Sequence, residues 1–223
     1  MGLEVYGMVE ELFLGDEAFR LWEKYLEILK EYEIKEILDI GCGSGGFCLM
    51  AKREGIDVFG VDLSKEQVKK AKKRGCKCEV MDVCNVRGNF DSGVAIFDVI
   101  NYLDKKELKR FFECIKKKIN RYFIFDINTL YAMSELAVGS LVREDGERFG
   151  VLDSEYEDKR LITKITLFKK EGDCYKKYQD KIVQYFYTLD EIEELSKMEL
   201  IEVIPFSLYG SEEAEKLILV FGK

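Results

Sequence analysis

The segment Asp39-Ile40-Gly41-Cys42-Gly43-Ser44-Gly45-Gly46 limits what this chain can fold into more than any other. A short apolar run, Glu36-Ile37-Leu38-Asp39-Ile40, stops at a glycine cluster, and Phe47 to Arg53 then reads as a helix ending at Gly55. This is a strand, loop and helix in succession. In open α/β sheets ligands bind beyond the carboxyl ends of the strands, and glycine at such an end lets a ligand approach the backbone closely.

The same rhythm continues. Residues 16–32 space apolar side chains as an amphipathic helix ahead of the first strand. Ile56 to Val61 is a second strand, followed by the capping pattern of Ser64 and Gln67 and a helix to Arg74. Cys78 to Met81, Gly93 to Phe97 and Arg121 to Ile127 supply three more strands. A helix capped by Asp104 and Glu107 precedes the last of these and turns Leu108, Phe111, Phe112, Ile115 and Ile119 to one face. Parallel neighbours need crossover helices, so the expected fold class is α/β, a doubly wound, mostly parallel Rossmann-like sheet. After Asn128 the rhythm changes: Leu161 to Phe168 and Tyr175 to Tyr187, joined through Glu171-Gly172-Asp173, read as a long hairpin in a small antiparallel β insert. A helix capped by Thr188 and Glu191 and the strands Leu200 to Ile204 and Leu217 to Phe221 form an antiparallel C-terminal ending. The expected organisation is a core of residues 1–129 and 188–223 carrying an insert or lid at 130–187.

Composition removes several chemistries. The 223 residues contain no histidine, so histidine triads and histidine metal sites are excluded, and no metal is expected. Thirty-five Lys plus Arg against 43 Asp plus Glu give a net charge of −8, a poor balance for gripping a phosphate backbone, so nucleic acid is disfavoured as a partner. Seven scattered cysteines do not form a secreted disulfide framework, and all are expected to be reduced thiols; Cys76 and Cys78 lack the second pair that would close a zinc site. No apolar run approaches the roughly 18 residues of a membrane span, and the start of the chain lacks a signal-peptide core. A cytoplasmic location is the expectation.

Asp62, twenty-one residues after Gly41, ends the second strand, where a carboxylate can accept both hydroxyls of an adenosine ribose. Gly41, Gly43 and Gly46 also fit a G-x-G-x-x-G pattern, so a nicotinamide or flavin dinucleotide competes. Asp39 shifts the balance, because a carboxylate two residues before Gly41 suits a ligand ammonium and would repel a pyrophosphate. Asp82 can accept from the adenine amine, with Met81 and Val83 covering the ring. An amino acid joined to adenosine is the expected ligand.

These residues together resemble the class I S-adenosylmethionine-dependent methyltransferases, whose glycine motif is matched by Leu38-Asp39-Ile40-Gly41-Cys42-Gly43-Ser44-Gly45. The similarity extends to small methyltransferases with an Asn-Tyr-Leu signature, here Phe97-Asp98-Val99-Ile100-Asn101-Tyr102-Leu103, and to the fifth-strand end Phe125-Asp126-Ile127-Asn128. It departs where a Tyr-Asp pair near the start is replaced by Glu11-Leu12. The resemblance implies S-adenosylmethionine as methyl donor, held by Asp39, Gly41, Cys42, Gly43, Gly45, Asp62, Leu63, Met81, Asp82, Val83 and Phe97. Transfer to a small-molecule acceptor needs chiefly alignment and exclusion of water. Asp98, Tyr102 and Asp126 are the candidates to orient the acceptor or take its proton. A donor-binding sensor without catalysis and an NAD-dependent oxidoreductase are the alternatives, and a homodimer is left open.

Overall fold

The computed structural model describes residues 3–15 and 17–223; the side chains of Leu3, Glu4 and Glu11 lie outside the described residues. Elements alternate as the sequence leads one to expect: α2 (Glu17–Glu31), β1 (Glu36–Ile40), α3 (Gly46–Arg53), β2 (Asp57–Asp62), α4 (Lys65–Lys73), β3 (Cys78–Val80), β4 (Ser92–Ala95), α5 (Lys105–Lys118) and β5 (Tyr122–Asn128). Ahead of them stands α1 (Leu3–Phe13), which carries no strong periodic signal; among its described side chains only Val9 is fully buried. Behind them come β6 (Gly139–Glu144), β7 (Arg148–Glu157), β8 (Arg160–Glu171), β9 (Cys174–Tyr185), α6 (Leu189–Ser196), β10 (Glu199–Phe206) and β11 (Lys216–Gly222).

Seven strands form one sheet in the order β10-β11-β5-β4-β1-β2-β3. The five from β5 to β3 are parallel, while β11 runs antiparallel to both of its neighbours. The chain order of the strands reverses between β1 and β4, which opens a crevice at their carboxyl ends. One face of the sheet packs Tyr25, Leu29, Phe47 and Val68 from α2, α3 and α4. The other packs Leu108, Phe112, Ile115 and Ile192 from α5 and α6. Both faces are buried, as a parallel sheet requires.

The capping signals are met to different degrees. Asp104 with Glu107 and Thr188 with Glu191 make complete reciprocal boxes. The third is half made: Ser64 accepts from the Gln67 amide, but the Gln67 side chain turns away to donate to Glu10 of α1 at 3.1 Å. A tertiary partner has displaced the local one.

The insert is a separate four-stranded antiparallel sheet in the order β6-β7-β8-β9. The expected hairpin is β8 and β9, turning at Gly172 with a positive φ of 64°. The first two strands carried no legible signal, because every residue of β6 is exposed and no alternation marks it. Helix α1 packs on this sheet: Val9 meets Ile165, Leu167 and Ile182 in a small third core.

One expectation is overturned. Cys84 and Cys114 form a disulfide that ties the helical turn Val83–Asn85 to α5, so not all seven cysteines are reduced thiols. They are 30 residues apart on elements that only the tertiary fold brings together, so their spacing gave no warning. Cys42, Cys48, Cys76 and Cys78 are buried thiols. Among the described residues no helix is long and apolar enough to cross a membrane.

Candidate functional site

A cavity of about 960 Å³ lies over the carboxyl ends of β1, β2 and β4, walled by α1 and α2 and covered by the inner face of the insert. Asp39, Gly41, Cys42, Gly43, Asp62, Leu63, Met81, Asp82, Val83 and Phe97 all line it.

Gly41, Gly43 and Gly45 all have positive φ. A Cβ on Gly41 would stand 2.8 Å from Val99, whereas one on Gly43 would meet nothing within 4 Å and would project into open space. That vacant position is where a ligand can lie directly on backbone. Gly45 does otherwise than expected: it does not line the cavity, and a Cβ there would strike Cys76 Sγ at 2.5 Å, so this glycine lets the loop pack on α4. Asp62 spans the loop, accepting from the Gly43 amide at 2.9 Å and the Ser64 amide at 2.8 Å. Each carboxylate oxygen keeps a further lone pair.

Asp39 is 2% exposed, and its Oδ2 has no hydrogen-bond partner among the described residues. Burial, reinforced by the neighbouring Asp62 charge, pushes its carboxyl up to about 7. An unpaired buried carboxylate is costly unless a cation arrives to meet it. The arrangement fits an ammonium-bearing ligand such as S-adenosylmethionine: an orphaned acid, a bare Gly43 and a strand-end carboxylate stand in sequence along the crevice. Asp82 caps the turn Val83–Asn85 by accepting from the Cys84 amide at 2.8 Å and pairs with Arg110 at 3.3 Å.

On the other side of the crevice the expected acid–base residues separate. Phe97 and Asp98 both adopt left-handed backbone, φ 66° and 50°, a strained pair for residues with side chains. Asp126 holds them there: its two oxygens accept from the Phe97 amide at 2.8 Å and the Asp98 amide at 2.9 Å. It also accepts from the Tyr25 hydroxyl at 2.8 Å and Lys216 Nζ at 2.8 Å. Asp126 is fully buried and does not line the cavity, so the expectation that it faces the crevice as a proton acceptor is corrected. Its four bonds occupy the whole carboxylate. Asn101 is likewise a buried staple, donating to the Tyr185 carbonyl at 2.8 Å and accepting from the Asn128 amide at 3.0 Å.

Asp98 and Tyr102 do reach the cavity. Asp98 is clamped by Lys216 Nζ at 2.5 Å on one oxygen and by the Gln184 amide on the other. Lys216 completes its three bonds on Asn128 Oδ1 at 3.0 Å. Burial opposes its charge, but Asp126 and Asp98 outweigh that and hold the ammonium above its ordinary range. Lys216 was not foreseen, because one lysine opening the apolar strand Lys216-Leu217-Ile218-Leu219 reads as a strand start. Tyr6 was missed with α1. Burial, Glu10 and Asp98 together raise its phenol, and Tyr102 is raised by burial with Tyr6, Asp98 and Glu10. Both phenols stay protonated at any ordinary pH.

Comparison with known proteins agrees with this geometry. Residues 37–121 match a family model described as a methyltransferase domain. The chain is 22% identical over 208 residues to a putative methyltransferase, YqeM, of Bacillus subtilis, covering 86% of this chain and 83% of that protein. Its fold superposes with a TM-score of 0.79 on an S-adenosylmethionine-dependent methyltransferase from Clostridium acetobutylicum, at 20% identity over 99% of this chain and 96% of the other. The sugar N-methyltransferase KedS8 from Streptoalloteichus gives a TM-score of 0.70 at 14% identity, covering 90% and 86%.

Proposed function

We propose that this chain, a class I S-adenosylmethionine-dependent methyltransferase by its domain at residues 37–121 and by its sheet, methylates a small-molecule acceptor in the crevice between the parallel strands and the insert. The orphaned, buried Asp39 carboxylate beside the bare Gly43 carries this reading, because it needs a ligand cation and sits where only backbone intervenes. A dinucleotide pyrophosphate would face that acid at close range and be repelled.

S-adenosylmethionine supplies an activated methyl group on a sulfonium. In this reading Asp39 takes the ligand ammonium, Gly41, Cys42 and Gly43 accommodate its chain, and the spare lone pairs of Asp62 accept the ribose hydroxyls. Leu63, Met81 and Val83 cover the adenine while Asp82 accepts from its amine. Phe97, edge-on to Trp22 with centroids 6.4 Å apart, closes the reactive end against water. Tyr102 presents a protonated hydroxyl to the acceptor. Asp98, fixed by Lys216 and Gln184, gives the acceptor pocket a rigid carboxylate. Asp126 acts only through Lys216 and the Phe97-Asp98 backbone, as a positioning residue.

The insert, residues 130–187, selects the acceptor, since Leu141, Leu152, Thr163, Ile182 and Gln184 line the far wall. A small molecule in a cytoplasmic setting is the acceptor this reading favours over nucleic acid, given the −8 net charge. Calorimetry with S-adenosylhomocysteine and, separately, NADH tests the reading. The expected result is one site for the former, weakened in Asp39→Asn, and none for the latter; the opposite preference would replace methyl transfer with a redox function.

A further inference from the structure

We propose that the acceptor half of the cleft is built for a free aliphatic amine, primary or secondary, that carries no phosphate or other anionic handle. This rests on the methyl-transfer reading and names the substrate class of that same site.

Charge comes first. The described residues that line the cavity include seven carboxylates, four of them (Glu10, Glu17, Asp98 and Glu215) outside the donor half, and three cations, Arg74, Arg143 and Lys216. The three engage separate partners. Lys216 spends its three bonds on Asp98, Asp126 and Asn128. Arg74 is drawn to Ser44 of the glycine loop, 3.0 Å from its hydroxyl, and Arg143 donates to the Val142 carbonyl on exposed β6. Recognition of a phosphate or carboxylate calls for convergent Arg, Lys or helix-terminal amides, and beyond the fully engaged Lys216 the described acceptor wall offers a single arginine, Arg143.

Shape and polarity agree. Tyr6 from α1, Tyr102 from the turn after β4 and Tyr209 from the loop before β11 all line the cavity. Their phenols influence one another and are influenced by the same carboxylates: Tyr6 by Glu10, Asp98 and Tyr209, and Tyr102 by Tyr6, Asp98 and Glu10. Tyr6 and Tyr102 are half-buried and Tyr209 is exposed, and none of the three hydroxyls has a hydrogen-bond partner among the described residues, so all three are available to a ligand. Aromatic faces, unengaged hydroxyls and nearby carboxylates are the groups that hold an amine and its protonated or methylated forms. An acidic acceptor would be repelled. A hydroxyl acceptor would need a base to remove its proton, and Asp98 already receives Lys216 and Gln184.

The chemistry balances without further reagents. The lone pair of the neutral amine forms the new N–C bond as the C–S bond breaks, and that bond's electron pair stays on sulfur. The positive charge moves from sulfur to nitrogen, whose proton then passes to water. The methylated amine, neutral once that proton has left, is released from among the same tyrosines.

Calorimetry at saturating S-adenosylhomocysteine tests this with matched probes: benzylamine and N-methylbenzylamine against benzyl alcohol, benzoate and uridine-diphosphate-glucosamine, an amine on an anionic carrier. Binding of S-adenosylhomocysteine is measured first, and its failure would refute the methyl-donor site rather than the amine. The expected result is that the two amines bind at least about tenfold more tightly than the alcohol. Benzoate and the diphosphate-linked amine should be weaker still. Tyr6→Phe should retain most of the amine affinity and Tyr6→Leu lose it, while S-adenosylhomocysteine affinity is kept in both. Amines no better than the alcohol, a diphosphate-linked amine better than the free ones, or equal amine affinity in Tyr6→Leu would each overturn the proposal.

Discussion

The two halves of the crevice are made in different ways. The half assigned to the donor is drawn from three short segments, 39–46, 62–63 and 81–83, each at the end of a successive parallel strand, and is fixed by local bonds such as those from Asp62 to the Gly43 and Ser64 amides. The half assigned to the acceptor gathers Tyr6, Asp98, Gln184 and Lys216 from four remote parts of the chain around one ion-paired floor. A binding surface made of contiguous loops tolerates loss of a single contact. One made of buried charges from distant strands does not.

The largest expected effect follows from that contrast. Lys216→Met should destabilise the protein by about 3–5 kcal/mol in urea unfolding, because Asp98 and Asp126 would be left as buried charges without their counter-ion. A loss under about 1 kcal/mol would mean that the floor is not held by this ammonium. Next, Asp62→Ala should weaken S-adenosylhomocysteine at least tenfold by calorimetry, each bond to a charged group being worth roughly 1.5–3 kcal/mol, with the fold retained. Unchanged affinity would take the ribose away from Asp62.

A smaller effect should appear with pH. With the Asp39 carboxyl pushed up to about 7, its proton competes with the ligand ammonium, so affinity should fall about tenfold from pH 8 to pH 6 and the slope should vanish in Asp39→Asn. The same shift has an opposite sign for stability. The folded apo-protein binds a proton that the unfolded chain, with an ordinary carboxyl, has already released, so stability should decline as pH rises between about 4 and 7. Asp39→Asn should remove that decline while weakening the ligand. The smallest effect is expected of Tyr102→Phe: turnover should drop several-fold with S-adenosylhomocysteine affinity unchanged, and an equal loss of both would move its hydroxyl to the donor side.

The contrast also explains what could be read in advance. Strand ends with glycines and acids at fixed intervals announce themselves, because topology alone brings Asp39, Asp62 and Asp82 to one edge. Capping residues at Asp104 and Thr188 did likewise for helices. Helix α1 and strands β6 and β7 were not legible, since the described apolar side chains of α1 pack against the remote insert and Tyr102, and β6 buries none. Gln67 shows the limit within a recognised motif: the Ser64 half of its box is local and formed, whereas the other half lost to Glu10 across 57 residues. Lys216, Gln184 and the Cys84–Cys114 disulfide depend on contacts across long stretches of chain, which leave no periodic trace. Asp126 was visible as a strand-end acid, but only the packing of Tyr25 and Lys216 shows that it faces inward.

The late position of Lys216 has a consequence for synthesis on the ribosome. Chains emerge N-terminus first, and domains tend to fold as they appear. The segments bearing Asp98 and Asp126 emerge about a hundred residues before the lysine that neutralises them, counting along the sequence. A nascent chain lacking β11 cannot bury that carboxylate pair without a cost of several kcal/mol, so closure of the crevice floor waits for β11. The ion pair thus makes closure of the crevice floor depend on the arrival of β11: until that strand docks, Asp98 and Asp126 lack their counter-ion.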